Sequence, residues 1–309
     1  MLLTNLQKDF IIVLGENMFD IIFNPTSGKT KSAKALNRVK DIFASQNVPY
    51  TVHQTQYPSH ATEIATQLTK SGNCNLIVLG GDGTFHEVLN GIACFDNVKV
   101  GLIPCGTGND FVRATKLSTN VDQAVQTILD GHTEFVDFIQ IDNKRALNCA
   151  GAGMDVDTLV KYAEMKHFKG KVKYYLALLS VLIKLKFHKA IITTDDQQIE
   201  TSIFMVAIGN GTCIGGGMPV SPLSDVQDGK LNVVIINELP RRKVLGALLK
   251  FLKGKHLSLP CVQHFLTTKV SLQILDDGKT EIDGEVQQTQ TLNCQVVTDT
   301  LQLYYNKGE

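Results

Sequence analysis

Aspartates placed among glycines at the ends of apolar runs suggest phosphate chemistry in this chain. Asp82 lies in the stretch Gly80–Thr84 (GGDGT), directly after the apolar run 76–79. Glycines let backbone N–H groups approach phosphate oxygens, and a helix start carries partial positive charge. A bare carboxylate would repel phosphates, so Asp82 predicts a divalent cation between itself and them. The alternative is that Asp82 only caps the helix beginning near Thr84.

Two further acids are expected near the same edge of the sheet. Asp110 closes a second glycine loop, Pro104–Asp110 (PCGTGND), and Asp137 lies in the strand pattern TEFVDFIQID. Taken singly, Asp110 fits a helix cap and Asp137 fits a solvated strand residue equally well. Together with Asp82 they suit a magnesium ion and its waters.

A third loop, Asn24–Gly28 (NPTSG), also follows a strand-like run. Two standard phosphate motifs fail here. A P-loop would need glycine where Phe23 stands, and the dinucleotide fingerprint would need glycine at His86 or Phe111. The loops therefore have the glycines and helix starts that can bind phosphate, but not the sequence of either standard motif.

The N-terminal part of the chain alternates strand and helix patterns. Apolar runs at 19–25, 48–55, 75–81 and 98–104 indicate strands, and stretches with helical spacing separate them. This alternation predicts a doubly wound, mostly parallel α/β sheet. Ligands bind such sheets at the carboxyl ends of the strands, where the three loops fall.

After about residue 142, short β-rich runs separated by glycine and Asp-Gly turns dominate. That pattern is typical of an antiparallel sandwich or barrel. We therefore predict an α/β domain of residues 17–140 with the C-terminal segment 297–309. Residues 141–296 are expected to form a β-rich domain, and residues 1–16 an N-terminal extension.

Composition narrows the classes of function. The formal net charge of the 309 residues is zero, so nothing global attracts nucleic acid. The seven cysteines form no paired motif and no zinc spacing, which fits a reducing cytoplasm. No stretch approaches the roughly 20 apolar residues of a membrane-spanning helix.

Two stretches, Lys166–Lys189 and Arg241–Lys255, combine basic and apolar residues with helical spacing. One face of the second is apolar: Val244, Leu248, Phe251 and Leu252. Basic amphipathic helices can lie on anionic lipid. The alternative is that the apolar faces cover the β-rich domain while the lysines are only solvated, and both can hold in part.

Six motifs, in order along nearly the whole chain, resemble the diacylglycerol kinase catalytic domain of small bacterial lipid kinases. The first three are NPTSG (Asn24–Gly28), GGDGTFHEVLNG (Gly80–Gly91) and PCGTGNDFVR (Pro104–Arg113). The later three are GGGM (Gly215–Met218), DGKLNV (Asp228–Val233) and IDGE (Ile282–Glu285). GGDG alone is shared with NAD kinases and phosphofructokinases, and the other motifs separate this chain from them.

The resemblance implies that the α/β domain is nucleotide-binding and the β-rich domain lipid-binding, and that ATP and Mg²⁺ bind in a crevice between the two domains. It places these residues around the nucleotide: Asn24, Pro25, Thr26, Ser27, Gly28, Thr55, Gly81, Asp82, Gly83, Thr84, Phe85, His86, Glu87 and Thr107. It makes Asp82, Asp110 and Asp137 the magnesium and water network. A second, structural magnesium is implied at Asp225, Asp228 and the backbone carbonyl of Lys230.

The same resemblance makes Asp283 the general base, which takes the proton of a lipid hydroxyl as that hydroxyl attacks the γ-phosphate. The residues alone give a different interpretation. Asp283-Gly284 between β-rich runs is an ordinary hairpin signal, like Asp277-Gly278 just upstream.

We therefore predict a soluble, cytoplasmic, ATP-dependent lipid kinase that contacts the inner membrane surface peripherally and binds no nucleic acid. Diacylglycerol is the first-choice acceptor, while sphingoid bases, phosphatidylglycerol and undecaprenol-type lipids stay open, as does a homodimer. One alternative is an NAD kinase-like enzyme with a soluble acceptor. The other is a catalytically silent regulator that binds lipid or nucleotide.

Overall fold

The computed structural model describes residues 18–28, 30–166 and 170–306, which fall into two compact units. Unit 1 contains the chain up to Val136 together with the segment from Thr298 onward. Unit 2 contains Asp137–Val297. The expected N-terminal extension, residues 1–16, lies outside the described residues.

Unit 1 is built on a parallel sheet. Its elements are β1 (Phe19–Phe23), α1 (Thr30–Ser45), β2 (Tyr50–Gln54), α2 (His60–Leu68), β3 (Cys74–Gly80), α3 (Asp82–Gly91), β4 (Val98–Pro104), α4 (Asp110–Ala114) and α5 (Val121–Leu129). The strand order is β2-β1-β3-β4, and the end of the strand Thr291–Tyr304 pairs in parallel with β4. The predicted parallel α/β architecture is confirmed.

The order of these strands positions the three glycine loops. Every residue of β1 is buried, as expected for a parallel strand covered on both faces. Helices α1 and α5 pack on one face through Val39, Phe43 and Ile128. Since β1, β3 and β4 are neighbours running in the same direction, the loops that follow them all leave from one edge.

Unit 2 is mainly antiparallel. The next elements are β5 (Thr133–Ile141), β6 (Lys144–Ala146), β7 (Cys149–Gly153), α6 (Met154–Glu164), α7 (Gly170–Lys184), β8 (His188–Thr193), β9 (Gln198–Gly209), β10 (Leu231–Asn237) and α8 (Arg241–Leu252). The remaining strands are β11 (Val262–Thr267), β12 (Lys269–Ile274), β13 (Thr280–Ile282), β14 (Glu285–Gln287) and β15 (Thr291–Tyr304). Strands β7, β8, β9, β10, β12 and β13 pair antiparallel with their neighbours. The predicted β-rich region is confirmed.

The sheet of unit 2 has two covered faces, because successive side chains of a strand point to opposite sides. In β9, Val206 and Ile208 belong to one buried cluster, while Met205 and Ala207 belong to the other. Both basic helices expected from the sequence, α7 and α8, pack on the second cluster. Among the residues that the structure describes, no helix has the length and apolarity to cross a bilayer.

Candidate active site

The three glycine loops of unit 1 pack against one another. A Cβ atom added to Gly106 would lie 2.7 Å from the Cα atom of Gly81, closer than real Cβ contacts allow. Gly28 has a φ of 59°, and a Cβ atom there would overlap the carbonyl oxygen of Cys105. Glycine is therefore required at these contacts for the loops to meet.

Side-chain hydrogen bonds join the loop Asn24–Gly28 to the loop Gly80–Thr84. The Asn24 amide donates to the Thr84 hydroxyl at 2.9 Å, and the Ser27 hydroxyl lies 3.4 Å from the same oxygen. The other end of the Asn24 amide accepts the Thr26 N–H at 3.0 Å. Thr84 is buried, so these bonds hold Asn24–Gly28 against the start of α3.

Asp82 does not cap its own helix. Gly81 occupies the N-cap position of α3, and Asp82 is the first helical residue. Its Oδ1 atom instead accepts the backbone N–H of Phe111 at 3.1 Å, at the start of α4. The rings of Phe85 and Phe111 meet edge to face, 5.2 Å apart. Asp82 therefore connects the loop Gly80–Thr84 to the loop Pro104–Asp110, a role that the capping alternative does not include.

The charges in unit 1 fit a divalent cation. Burial raises the pKa of Asp82, the N–H of Phe111 opposes this shift, and the negative charge of Asp110 adds to it. Asp110 is itself buried. Two neighbouring carboxylates partly removed from water destabilise each other, and a bound cation offsets that repulsion. Oxygen ligands of this kind suit Mg²⁺.

The other residues predicted to surround the nucleotide differ in their exposure and in their contacts. Gly83 and Thr107 are exposed on the loops, and Thr55 is buried where its N–H donates to the carbonyl of Phe23 at 2.9 Å. The side chains of His86 and Glu87 contact helices α3 and α2, respectively. The Glu87 carboxylate accepts the Ala61 N–H of α2 at 3.2 Å, and buried His86 contacts Asn90 one turn along α3.

In unit 2, Asp283 is bound by backbone donors. It occupies the turn between β13 and β14 with a φ of 47°. Its Oδ2 accepts the N–H of Leu147 at 2.7 Å, and its Oδ1 accepts those of Asn148 and Cys149 at 2.8 and 3.1 Å. The hairpin interpretation of Asp283-Gly284 is correct for the backbone, and the carboxylate additionally orders the start of β7.

Asp137, which lies in β5 as predicted, holds the loop that carries Asp225 and Asp228. Its N–H donates to the Val226 carbonyl at 2.6 Å, and its Oδ2 accepts the Gly229 N–H at 2.8 Å. In unit 2 these contacts make Asp137 a support of the expected second metal loop.

Asp225 and Asp228, the predicted ligands of the structural cation, are both exposed. Partial burial raises the pKa of Asp228, the backbone N–H of Lys230 opposes the shift, and the charge of Asp225 adds to it. The Lys230 N–H donates to Asp228 Oδ1 at 2.8 Å, which shapes the loop around the Lys230 carbonyl.

Sequence reasoning missed Asn210. Its side-chain amide donates to the carbonyl oxygens of Asp137 at 2.9 Å and Leu147 at 2.7 Å, and the residue is fully buried. Asn210 therefore connects the strand of Asp137 to the segment that Asp283 binds. The only signal was the turn Gly209-Asn210-Gly211, which marks a bend without indicating its partners.

Two buried acids of unit 2, Asp155 and Glu281, were also missed. Burial raises the pKa of Asp155 to about 7. The pKa of Glu281 lies well above its usual range, first because of burial and then because of the charge of Asp155. The backbone N–H groups of Val156 and Asp155 oppose the shift of the Asp155 pKa. Oε1 of Glu281 accepts no hydrogen bond from the part of the chain that the structure describes.

The N-terminal and C-terminal parts of the chain match two different family models. Residues 19–141 match the diacylglycerol kinase catalytic domain, and residues 148–305 match the YegS C-terminal NAD kinase beta sandwich-like domain. A diacylglycerol kinase of Bacillus subtilis is 30% identical over 273 residues, which cover 86% of this chain and 88% of that protein. One from Staphylococcus saprophyticus is 28% identical over 269 residues, with coverage of 86% and 88%.

A solved structure extends the likeness to three dimensions. The crystal structure of a diacylglycerol kinase from Bacillus anthracis matches with a TM-score of 0.72 at 22% identity. The match covers 94% of this chain and 97% of that chain. At this identity it shows a shared fold.

Proposed function

Because the chain belongs to the family of the diacylglycerol kinase catalytic domain, a family of lipid kinases, we propose that it transfers the γ-phosphate of ATP to the hydroxyl of diacylglycerol. The product is phosphatidic acid. The observation that carries this proposal is the meeting of three glycine loops around Asp82 in unit 1. The Bacillus subtilis relative, matched over most of both chains, supports diacylglycerol as the acceptor.

Unit 1 binds the nucleotide in this proposal. The backbone N–H groups of Gly81–Thr84 lie at the start of α3 and face phosphate oxygens. Asn24, held by Thr84, and the polar residues after it form the other wall. Asp82 and Asp110 hold Mg²⁺, which neutralises phosphate charge when bound. The remaining task of the chain is to position ATP.

Unit 2 supplies the acceptor side. Asp283 takes the proton from the lipid hydroxyl, and its three backbone partners fix the orientation of its carboxylate. Asp225, Asp228 and the Lys230 carbonyl hold a structural Mg²⁺, and Asp137 positions their loop. Asn210 binds the carbonyl oxygens of Asp137 and Leu147, and so supports both the strand of Asp137 and the segment that binds Asp283.

The acceptor lies in a bilayer, and the described residues contain no helix that could span one. We therefore place the enzyme at the cytoplasmic face of the inner membrane, where ATP is present, in peripheral contact with lipid.

The direct test is magnesium-dependent transfer of labelled phosphate from ATP to diacylglycerol in mixed micelles. NAD, a sphingoid base, phosphatidylglycerol and undecaprenol are assayed in parallel. We expect phosphatidic acid as the main product. Labelling of NAD without lipid would favour the NAD kinase alternative. ATP binding with no labelled product from any acceptor would favour the silent regulator.

A further inference from the structure

Helices α7 and α8 are apolar on their outer sides as well as on their inner sides. Inward, Leu178, Val181 and Phe251 are buried in the cluster that covers the sheet of unit 2. Outward, α7 exposes Val172 (61%), Tyr175 (61%), Leu179 (53%) and Ile183 (66%), and α8 exposes Leu245 (68%), Leu249 (54%) and Leu252 (47%). Spacings of three and four residues place each set in one stripe along its helix.

These two stripes, here called the outer stripes, lie on one side of unit 2. The Arg241 guanidinium at the start of α8 donates to the Lys184 carbonyl at the end of α7, at 3.3 Å. Leu182 of α7 and Val244 of α8 line the same apolar cavity, and both helices pack on the same buried cluster. Since both helices cover the same face of the sheet, both outer stripes face away from it.

The charged residues of α7 and α8 are all basic. Residues 165–194 and 239–275 contain no Asp or Glu, although the chain as a whole carries 30 acidic and 30 basic residues. Exposed basic residues border the stripes: Lys184, Arg241, Arg242, Lys243, Lys250, Lys253 and Lys255. The surface therefore combines exposed leucines with a positive border, which is the chemistry that binds anionic lipid.

We propose that the outer stripes of α7 and α8 dock on an anionic bilayer, with the apolar side chains at the acyl boundary and the basic residues among the headgroups. This inference rests on the proposed function, because a lipid kinase must reach an acceptor within a bilayer. A second copy of the chain fits this surface less well. A two-fold contact would bring the basic border of one copy against that of the other.

The test uses the whole protein in flotation with vesicles of phosphatidylglycerol and phosphatidylcholine, and with vesicles of phosphatidylcholine alone. We expect binding to the anionic vesicles that weakens as salt rises. Leu249→Glu places a negative charge in the outer stripe and is expected to weaken binding by roughly tenfold or more. Leu275→Glu is the matched control, since Leu275 is an exposed leucine (44%) outside both helices, and it should bind like the wild type.

A second pair of variants separates charge from apolar contact. Arg242→Gln with Lys243→Gln removes two border charges and should weaken binding by roughly fivefold for each charge. Lys34→Gln with Lys70→Gln removes two exposed charges of unit 1 and should have no effect. Equal losses from both pairs would overturn the assignment to α7 and α8, because binding would then follow net charge alone.

Two further readouts separate this inference from the proposed function. On short-chain diacylglycerol dispersed in detergent, Leu249→Glu should turn over like the wild type, and only its activity on vesicles should fall. If vesicle activity is unchanged, the docking surface is wrong while the kinase assignment stands. If Leu249→Glu converts a dimer to a monomer in light scattering without changing vesicle binding, the surface is a dimer interface. Vesicle binding without turnover of either substrate would retain the surface and reject the kinase.

Discussion

Asp82 of unit 1 and Asp283 of unit 2 are held in different ways. In unit 1, Asp82 reaches from its own loop to the next, and its pKa is raised by burial and by the charge of Asp110. In unit 2, the two oxygens of Asp283 accept three backbone N–H groups at 2.7, 2.8 and 3.1 Å. Three backbone N–H groups bind the negative charge of Asp283. At Asp82 the effect of burial on the pKa exceeds that of the backbone donors, so a cation would stabilise its charge. Removing each acid should therefore have different consequences.

The largest expected effect is on activity in unit 1. Asp82→Asn removes the charge that faces the proposed cation, and we expect transfer to lipid to fall by roughly two to three orders of magnitude. Its free energy of unfolding should change by less than about 1 kcal/mol, because a neutral side chain suits this buried position. Initial rates measure the transfer activity, and thermal unfolding measures the stability. Asp41→Asn, on the exposed side of α1, is the control that should change neither.

If the unfolding free energy of Asp82→Asn fell by as much as that expected for Asp283→Asn, the contrast between Asp82 and Asp283 would be removed.

The next effect combines activity and stability in unit 2. Asp283→Asn turns one acceptor oxygen into an amide N–H₂ group that faces backbone N–H donors, so we expect unfolding free energy to fall by about 2–4 kcal/mol. Lost turnover in this variant is therefore not evidence for a base by itself. Asp277→Asn, in the exposed Asp-Gly turn upstream where Asp277 pairs with Lys186, should leave the unfolding midpoint unchanged.

Rates for Asp283→Asn should be measured well below its melting temperature, with circular dichroism as the check on folding. An unfolding midpoint equal to the wild type would show that the three backbone bonds contribute little, and a rate defect would then report on the carboxylate as a base.

The smallest effect concerns pH and sharpens the contrast within unit 2. Asp155 binds a proton more tightly in the folded protein, with a pKa of about 7, than in the unfolded chain, where the value is near 3.9. Its contribution to stability is therefore fully present below about pH 4 and is lost as the pH rises through about 7, at roughly 1.4 kcal/mol per pH unit in between. Glu281 acts in the same direction.

Asp155→Asn should therefore flatten the decline of unfolding free energy between pH 4 and 7, as measured by denaturant titration at several pH values. The exposed Asp195→Asn serves as the control and should keep the wild-type slope. An unchanged slope in Asp155→Asn would show that Asp155 does not titrate in this range.

What could be predicted from the sequence follows from how local each signal is. The three loops each follow a buried strand, so apolar runs and glycines were enough to locate them, as at Gly80–Thr84. Contacts in unit 2 join residues far apart in the chain, such as Asp137 with Gly229 and Asp283 with Leu147. No spacing rule relates such pairs, and so Asn210, Asp155 and Glu281 were not identified.

Helix α8 shows a subtler limit. Helical spacing placed Phe251 and Leu252 on one apolar face, but the structure buries Phe251 and exposes Leu252 (47%). A helix that is apolar on both sides has two such faces. Spacing alone does not decide which of them packs against the sheet.

Strand β15 makes the last step of folding in unit 1 wait until unit 2 has been translated. Its final residues pair with β4 through Gln302 and Leu303, and Leu301 and Leu303 are fully buried. The ribosome delivers these residues only after the whole of unit 2 has been made. Until then, the edge of β4 that β15 will cover presents unpaired backbone groups, a surface on which nascent chains can associate. The domain that is synthesised first is therefore completed last, and a molecular chaperone would have its longest period of action at that edge.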